Sequence, residues 1–527
     1  MKLTDILKGA PDSKAWEGYQ LPKFDIQAVR AKTHDQPTWL HFGAGNIFRA
    51  FPAAILQDVL DKGEYDRGVI VAEGFDYEII DKAYAPYDNL SLLVVLQSDG
   101  SIQKKVVASV TESLKADPQF GDDWARLEQI MTAPSLQMVS FTITEKGYSV
   151  APADLERGLA PALIMGKVTA LLYKRYQAGK LPLTLQSMDN CSHNGDKVKD
   201  AVLAYANAWV RAGLVDEGFL TYLTDESKVT YPWSMIDKIT PRPDALVQGM
   251  LEKDGFEDRE VIITEKKTYT APFVNAEETE YLVVEDRCTN GRPPLELGGV
   301  LYTDRATVDK VERMKVCTCL NPLHTALAIY GCLLGHTLIS AEMKDEDLRG
   351  LVTKMGYQEA MPVVVDPGVL KPADFIDAVL NKRLPNPFMP DAPQRIATDT
   401  SQKLPIRFGE TIKAYGAKGL DKNELVLIPL VLAGYARYLK GVDDEGKPFT
   451  PSPDPLLAQL QPVVAGLEVK EGTQDVSCLR ALYSRKDVFA VDLYEAGLGE
   501  RIEAMAAELF AGPGAVRRTL HKYVSAR

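Results

Sequence analysis

Cysteine is scarce in this chain, with six among 527 residues. Cys317 and Cys319 form a C-x-C pair, but no second pair stands nearby to complete a zinc site. Unpatterned cysteines favour free thiols in a reducing compartment, so we expect a cytoplasmic protein without a metal site. The H-E-x-x-H, G-x-S-x-G and Walker sequences are also missing, so nothing supports a metalloprotease, an α/β-hydrolase or a P-loop protein.

Positive charge is scarce as well. Lys and Arg number 60 against 73 Asp and Glu, a formal net charge of −13. Such a chain is a poor partner for nucleic acids and anionic membranes. No apolar run approaches the roughly 18 residues of a membrane span, and the first residues lack the apolar core of a signal peptide. We expect a soluble protein, which must concentrate positive charge locally if its substrate is an anion.

The composition is otherwise that of a globular protein, with 46% hydrophobic and 25% charged residues. Short apolar runs alternate with helical patterns in the first half, which predicts an α/β fold with a doubly wound, largely parallel sheet. The predicted strands are 38–42, 68–72, 90–96, 136–143 and 183–188, and the predicted helices lie at 50–62, 122–133, 157–178 and 196–212.

The pattern changes after about residue 296. Residues 256–290 carry two β-like runs around a polar loop, which we interpret as a peripheral sheet. We therefore predict a Rossmann-type domain over 1–295 and a mainly α-helical domain over 296–527, with the active site in a cleft between them. The predicted C-terminal helices are 306–316, 322–342, 346–355, 372–381, 424–439, 454–466 and 487–523.

A glycine-rich loop, His41 to Arg49, follows a predicted strand and precedes a predicted helix. In a dinucleotide site Gly43 would allow the tight turn and Gly45 the close approach of a pyrophosphate. Phe48 stands where the third glycine of the pattern belongs, and a tight turn without a nucleotide remains an alternative. Glu73 and Asp76 follow the second strand, where an acid would meet the adenosine ribose and favour NAD over NADP. A solvated carboxylate is the alternative for either residue.

Three polar clusters are candidates for the chemistry. Residues 188–196 follow the fifth strand, where open α/β sheets bind ligands, although a turn and helix cap would also explain them. Lys315 lies nine residues before His324, about 900° of α-helix, so the two face opposite ways unless the chain kinks, bulges or restarts near Pro322 with Asn321 as the cap. Residues 395–407 place cations close together in an acidic chain, as a substrate site or as a solvated basic face.

Several of these stretches, in this order, resemble the mannitol dehydrogenase family over most of residues 38–440. The stretches are Gly43–Arg49, Thr142–Tyr148, Met188–Gly195, Ser234–Pro241, Asp286–Pro293, Met314–His324 and Arg395–Lys403. The resemblance implies a Rossmann-type domain, a helical C-terminal domain, no metal, and hydride transfer between NAD(H) and an open-chain polyol or keto-sugar.

The resemblance also implies roles for single residues. Lys315 would be the acid/base, Asn190 and Asn321 would bind the reacting oxygen, and His324 would orient the substrate. Asp237 and Asn194 would support substrate binding, with Arg395 and Lys403 on distal oxygens. The implied cofactor-binding residues are Gly43, Gly45, Asn46, Phe48, Arg49, Glu73, Asp76 and Glu145.

Two features depart from the family pattern. The lysine stands six rather than five residues before the asparagine, and a polar insertion occupies about 262–278. The Met314–His324 segment is most similar to family members that act on fructuronate and mannonate, with Arg395, Lys403 or Arg407 to hold the carboxylate. A neutral pair such as mannitol and fructose, or a catalytically silent NAD- or sugar-binding homologue, are the alternatives. We expect a monomer or small homo-oligomer.

Overall fold

The computed structural model describes residues 1–9, 12–472 and 474–526. The chain forms two compact units. The first unit comprises Met1–Gln97 and Ser101–Asp309, and the second comprises Ser98–Gly100 with the residues from Lys310 onward. The domain boundary proposed at 295/296 stays a prediction.

The described strands all belong to the first unit. They are β1 (Tyr19–Gln20), β2 (Trp39–Phe42), β3 (Val69–Glu73), β4 (Ser91–Leu96), β5 (Ile102–Val107), β6 (Val110–Lys115), β7 (Met138–Phe141), β8 (Leu183–Ser187), β9 (Val229–Thr230), β10 (Ser234–Asp237), β11 (Ile262–Ile263), β12 (Tyr269–Thr270), β13 (Phe273–Glu277), β14 (Tyr281–Glu285) and β15 (Leu301–Thr303).

The main sheet has the order β6-β3-β2-β7-β8-β9, and its neighbouring strands are parallel. In chain order its strands run 3-2-1-4-5-6, the doubly wound arrangement that binds dinucleotides. Successive side chains of β2 point to opposite faces of the sheet and pack in two different hydrophobic clusters. Leu40 packs with Ile70 on one face, and Trp39 packs with Val69 on the other. Because both faces are buried, the strands read as continuous apolar runs, which is why the sequence reveals them.

Two smaller sheets and a hairpin complete the strands. β4, predicted from the run at 90–96, lies in the separate sheet β1-β5-β4-β13, antiparallel to β5. An apolar run in the sequence indicates that a strand is buried, but it does not indicate to which sheet the strand belongs. The region 256–290 is β-rich as expected, with the antiparallel hairpin β11–β12, and β14 in the sheet β10-β14-β15.

Eleven helices begin among the described residues of the first unit, and the last of them ends in the second unit. They are α1 (Ile26–Asp35), α2 (Asn46–Ala50), α3 (Pro52–Asp61), α4 (Gly121–Thr132), α5 (Thr144–Gly147), α6 (Pro152–Leu155), α7 (Ile164–Gln177), α8 (Asn194–Arg211), α9 (Glu217–Thr224), α10 (Ala245–Lys253) and α11 (Arg305–Met314).

The second unit is helical over most of its described length. Its helices are α12 (Asn321–Leu333), α13 (Ile339–Glu342), α14 (Glu346–Lys354), α15 (Pro372–Ala378), α16 (Pro393–Ile396), α17 (Thr400–Leu404), α18 (Glu410–Ala417), α19 (Leu427–Leu439), α20 (Leu457–Val464), α21 (Arg480–Tyr483), α22 (Lys486–Phe489), α23 (Gly499–Leu509) and α24 (Ala515–Ser525). The pattern predicted as 487–523 is divided into α22, α23 and α24. Residues 490–498 separate α22 from α23, and Gly514, with φ +75°, precedes α24.

Non-α turns interrupt or follow several helices. The π turns are Ile80–Tyr84, Lys315–Cys319, Met355–Ala360, Val379–Arg383 and Pro405–Gly409. The 3₁₀ turns are Leu3–Leu7, Ala85–Tyr87, Leu295–Gly298, Met361–Val363, Lys422–Glu424 and Ser477–Leu479.

One helical stretch among the described residues, Arg305–Leu333, is long and apolar enough to cross a membrane by length and composition. Its most apolar window is 78% buried inside the protein, which is typical of a core helix.

Inside the second unit, Glu342 ends α13 against Gly331 of α12. The Glu342 side chain is fully buried, and neither carboxyl oxygen has a hydrogen-bond partner among the described residues. Burial, with the nearby charge of Asp345, raises the pKa of Glu342 to about 9. The group is therefore uncharged at neutral pH.

Candidate active site

The glycine loop has the conformation that its sequence predicts. Gly43 has φ +109°, and a Cβ there would lie 2.8 Å from the carbonyl carbon of Thr142 and closer still to its oxygen. A Cβ on Gly45 would meet nothing within 4 Å, so the loop presents open space immediately before α2. This is the combination that a pyrophosphate at a helix N-terminus requires, and the residues therefore fit a dinucleotide.

Phe48 lies beneath the loop and not on its open side. Its ring is fully buried and stacks on His41 with centroids 4.2 Å apart. His41 is held by Ser140 at 2.6 Å and Thr142 at 2.8 Å, and burial lowers the pKa of His41 to about 3. The third glycine of the fingerprint serves close packing of helix on strand, and here an aromatic stack fills that place. The buried ring of Phe48 packs the loop against the sheet, and a contact between Phe48 and the cofactor stays a prediction.

Asn46 and Arg49 join α2 to the hairpin strand β12. Arg49 is 1% exposed and donates to Ala271 O at 2.6 Å and to Thr270 Oγ1 at 2.9 Å. Asn46 accepts from Arg49 at 2.9 Å and donates to Tyr269 O at 3.2 Å. Burial lowers the pKa of Arg49. The guanidinium donates its hydrogen bonds within the protein, and a contact between Arg49 and the cofactor stays a prediction.

Glu73 ends β3 beside the glycine loop. Its carboxylate accepts from the backbone N–H of Ala44 at 2.8 Å, Phe75 at 2.8 Å and Asp76 at 3.1 Å. Burial raises the pKa of Glu73, and these N–H groups oppose that rise. Glu73 thus ties the loop to the end of β3, while its contact with the ribose stays a prediction. Asp76 is 3% exposed and accepts from the Thr264 hydroxyl at 2.6 Å.

The polar cluster after β8 divides into exposed and buried parts. Asn190 lies exposed in the turn after the strand. Asn194 is fully buried and donates to Asp189 O at 3.0 Å and Ser234 Oγ at 2.9 Å, while its oxygen accepts from Ser234 N at 2.9 Å. Both amide donors of Asn194 are used inside the protein, where the side chain joins α8 to β10. Its contact with substrate stays a prediction.

Two other predicted residues have different surroundings. Glu145 lies on the short helix α5 and pairs with Lys197 at 2.9 Å, with two thirds of its side chain exposed. Asp237 ends β10 at 6% exposure, opposite Tyr281 of β14. Their roles toward cofactor and substrate stay predictions.

In the second unit, the kink, bulge or restart expected near Pro322 is a π turn. Lys315–Cys319 is π-helical, and Leu320 N donates to Lys315 O at 3.1 Å. The cap of α12 is Leu320, not Asn321 as predicted, and Asn321 is the first helical residue, followed by Pro322. A π turn absorbs one extra residue, so the nine steps from Lys315 to His324 act as about eight, leaving the two about 80° apart around the axis. Lys315 itself is 5% exposed.

His324 belongs to a cluster of charged groups from several helices. Its Nε2 lies 3.6 Å from Asp391 Oδ2, and Asp391 also pairs with Arg395. Burial, assisted by the guanidinium groups of Arg407, Arg395 and Arg383 and opposed by Asp391, lowers the pKa of His324 to about 4. At neutral pH the imidazole is therefore uncharged.

Lys403 and Arg407 contribute the remaining charge of this cluster. Lys403 Nζ donates to Ile396 O at 2.9 Å, and Arg407 donates to Thr325 Oγ1 at 2.5 Å. Burial and the neighbouring Arg407 lower the pKa of Lys403 to about 8, and burial lowers the pKa of Arg407 to about 10. Lys403 and Arg407 are thus two buried cationic groups placed close together. They provide the local positive charge that an anionic substrate requires. We call His324, Asp391, Arg395, Lys403 and Arg407 the cation cluster.

Sequence reasoning missed Asp391, and it gave Asp189, a member of the polar cluster 188–196, no role of its own. Asp391 lies four residues before Arg395, a spacing that signals a helical ion pair. Asp189 accepts from Ile143 N and Thr144 N, both at 2.9 Å, and from the Tyr148 hydroxyl at 2.6 Å, so it links the ends of β7 and β8. No local sequence pattern predicts these hydrogen bonds, because Asp189 is more than 40 residues from its partners in the chain. Within the described residues, no group of three His, Cys, Asp or Glu side chains could hold a metal ion.

A doubly wound sheet with an open glycine loop, together with a helical unit carrying a buried lysine, defines the class as a dinucleotide-dependent oxidoreductase. The chain belongs to the mannitol dehydrogenase family: residues 37–297 match its Rossmann domain and residues 307–509 its C-terminal domain. The predicted fold class and enzyme class are confirmed at the level of this family, and NAD as the particular dinucleotide stays a prediction.

Individual relatives agree with this placement. The chain is 51% identical to D-mannonate oxidoreductase of Thermotoga maritima, over 97% of each protein. It is 29% identical to polyol:NADP oxidoreductase of Gluconobacter oxydans, over 85% of this chain and 87% of the other. The fold is similar to that of Pseudomonas fluorescens mannitol 2-dehydrogenase, solved with NAD and D-mannitol, at a TM-score of 0.67 and 24% identity, covering 97% and 98% of the two chains.

Proposed function

We propose that this protein is an NAD-dependent oxidoreductase that interconverts fructuronate and mannonate. The cation cluster carries the proposal, because Lys403 and Arg407 concentrate positive charge in a chain whose net charge is −13. A guanidinium and an ammonium suit a uronate carboxylate, whereas a neutral polyol offers them no charge to bind. The similarity to D-mannonate oxidoreductase supports the same substrate pair.

Lys315 is the proposed acid/base. In oxidation its neutral Nζ removes the proton from the substrate hydroxyl, and in reduction the protonated amine returns a proton to the carbonyl oxygen. Bound NAD supplies the hydride acceptor for oxidation, and its reduced form the donor for reduction. The π turn at Lys315–Cys319 accounts for the six-residue separation from Asn321, so this spacing no longer favours a catalytically silent homologue.

The other residues orient substrate and stabilise charge. The amides of Asn321 and Asn190 are proposed to donate hydrogen bonds to the reacting oxygen as it becomes negative. Neutral His324, whose Nε2 lies 3.6 Å from Asp391, orients a substrate hydroxyl without adding charge. Arg395, Lys403 and Arg407 bind the distal carboxylate and hydroxyls. For Asn190 and Asp237 the proposal rests on the family resemblance alone.

Steady-state kinetics with NADH test the substrate assignment. We expect kcat/KM for fructuronate to exceed that for fructose by about 100-fold, since two charge-assisted hydrogen bonds at about 1.5 kcal/mol each would contribute that factor. In the oxidative direction, with NAD, kcat/KM for mannonate should exceed that for mannitol by a similar factor. A fructose value equal to or above that for fructuronate would assign the enzyme to neutral keto-sugars.

The lowered pKa of Lys403, about 8, makes uronate binding pH-dependent. A protonated lysine binds the carboxylate, so the dissociation constant for mannonate should rise from pH 7.5 to 9.5, by up to tenfold per unit above pH 8. Lys403→Arg keeps its charge and should remove the breakpoint near pH 8, whereas Lys403→Met should bind mannonate weakly at every pH. Calorimetric titrations across this range provide the measurement, and an unchanged breakpoint in Lys403→Arg would exclude Lys403 as its source.

A further inference from the structure

The hairpin formed by β11 and β12, with flanking residues 261–271, occupies the insertion for which the sequence suggests no role. Its turn is internally bonded: Thr264 N donates to Thr268 O at 3.1 Å, and Lys267 N donates to Thr264 O at 3.0 Å. Lys267 takes a left-handed conformation at φ +64°. We call residues 261–271 the hairpin, and it has a defined shape.

The base of the hairpin is fixed to the glycine loop. Arg49 and Asn46 of α2 bond to the backbone of Tyr269 and Ala271 and to the Thr270 hydroxyl, at 2.6 to 3.2 Å. Arg49 is buried, so these bonds are shielded from water. These hydrogen bonds join the hairpin directly to α2, the helix that follows the glycine loop.

The tip of the hairpin lies on the turn that follows β3. Thr264 donates to Asp76 at 2.6 Å, and Glu265 N donates to Glu78 at 3.4 Å. Lys266 donates to Phe75 O, and its Nζ lies 4.1 Å from the centroid of the Phe75 ring. The hairpin therefore spans from the glycine loop to the turn after β3, which are the two segments that flank an adenosine in this fold.

Phe75 is unusual within this turn. It remains 67% exposed although Glu73 and Asp76 on either side are 6% and 3% exposed. Lys266 lies over its ring, a cation–π contact that restrains the side chain. Glu73 already accepts three backbone hydrogen bonds, which leaves the held aromatic ring as the open group at this end of the loop.

We propose that the hairpin is the outer wall of the adenosine site, with Phe75 stacking on the adenine and Lys266 positioning the Phe75 ring. The proposal rests on the proposed NAD dependence and extends it to residues of the insertion. The carboxylates of Asp76 and Glu78 beside the tip would repel a 2′-phosphate, so the same wall favours NAD over NADP.

Calorimetric binding of ADP-ribose, NADH and nicotinamide mononucleotide to the full chain tests this wall. Stacking of a base on an aromatic side chain contributes about 5- to 150-fold to binding affinity. We expect Phe75→Ala to weaken ADP-ribose and NADH binding about tenfold or more, and Lys266→Met about threefold to tenfold. Lys267→Met, on the same turn, is the matched control and should stay within twofold. Binding of nicotinamide mononucleotide, which lacks the adenosine, should be unchanged in all three, and Lys267→Met should also keep the wild-type kcat at saturating NADH.

Hydrogen exchange adds a readout independent of activity. ADP-ribose should slow the exchange of backbone amides in the hairpin of the wild type, and should slow it less in Lys266→Met. The melting temperatures of the two free proteins should be equal, so that a difference in exchange does not reflect a difference in stability. Wild-type affinity for ADP-ribose in both Phe75→Ala and Lys266→Met, or unprotected hairpin amides, would overturn the proposal. If fructuronate is not a substrate but these binding results hold, the wall stands and the substrate assignment falls.

Discussion

Replacing Lys315 by methionine is expected to lower kcat for mannonate oxidation by about 10³-fold. Positioned general acid–base groups contribute about 10²- to 10⁴-fold, and Lys315 is 5% exposed, so water has poor access to replace it. Methionine retains the length and apolar contacts of the side chain and removes the proton carrier. Stopped-flow single turnover measures the loss, and titration with NADH should show a Kd within about twofold of the wild type.

Lys310→Met supplies the matched control for Lys315, because Lys310 is an exposed residue of the adjoining helix α11. Its kcat should equal that of the wild type. Turnover of Lys315→Met at the wild-type rate would remove Lys315 as the acid/base and leave the π turn with a structural role only.

The second large effect concerns the two loop glycines, which should separate folding from cofactor binding. Gly43→Ala forces a Cβ against the Thr142 carbonyl at φ +109°, so we expect several kcal/mol of destabilisation, measured by urea unfolding. Gly45→Ala has φ −74° and open space for the methyl group, so the free protein should unfold like the wild type. Its NADH affinity should nevertheless fall by at least tenfold, because the methyl group occupies the position of the pyrophosphate.

Equal NADH affinity of Gly45→Ala and the wild type would show that the open space beside Gly45 is not the dinucleotide site. Equal unfolding free energies of Gly43→Ala and the wild type would show that the backbone at Gly43 can rearrange. Each result contradicts a different inference, so the pair is more informative than either variant alone.

The main sheet and its glycine loop were predictable because both depend on local signals. Strands buried on both faces leave unbroken apolar runs, and Gly43 marks a left-handed turn. The position of β4 was not predictable, because its sheet is decided by long-range pairing with β5 and β13.

The sequence predicted which residues belong to the candidate site, but it did not predict which of them are buried. The sequence marks Asn194, Phe48 and Arg49 as polar or motif residues, but their burial depends on contacts with Ser234, His41 and Ala271 far away in the chain. For the lysine spacing, Pro322 indicates an interruption, but whether the chain kinks or forms a π turn is decided by the packing of α12.

The buried carboxyl of Glu342 couples folding of the second unit to proton uptake. Its pKa is about 9 in the folded protein against an ordinary value of 4.5, so the folded chain binds one proton more than the unfolded chain between these pH values. Stability from this group is complete below pH 4.5 and declines as the pH rises toward 9, by up to about 1.4 kcal/mol per pH unit. A rise in pH thus loosens the helical unit through Glu342 while it also discharges Lys403, so alkaline conditions oppose both the fold and the anion site.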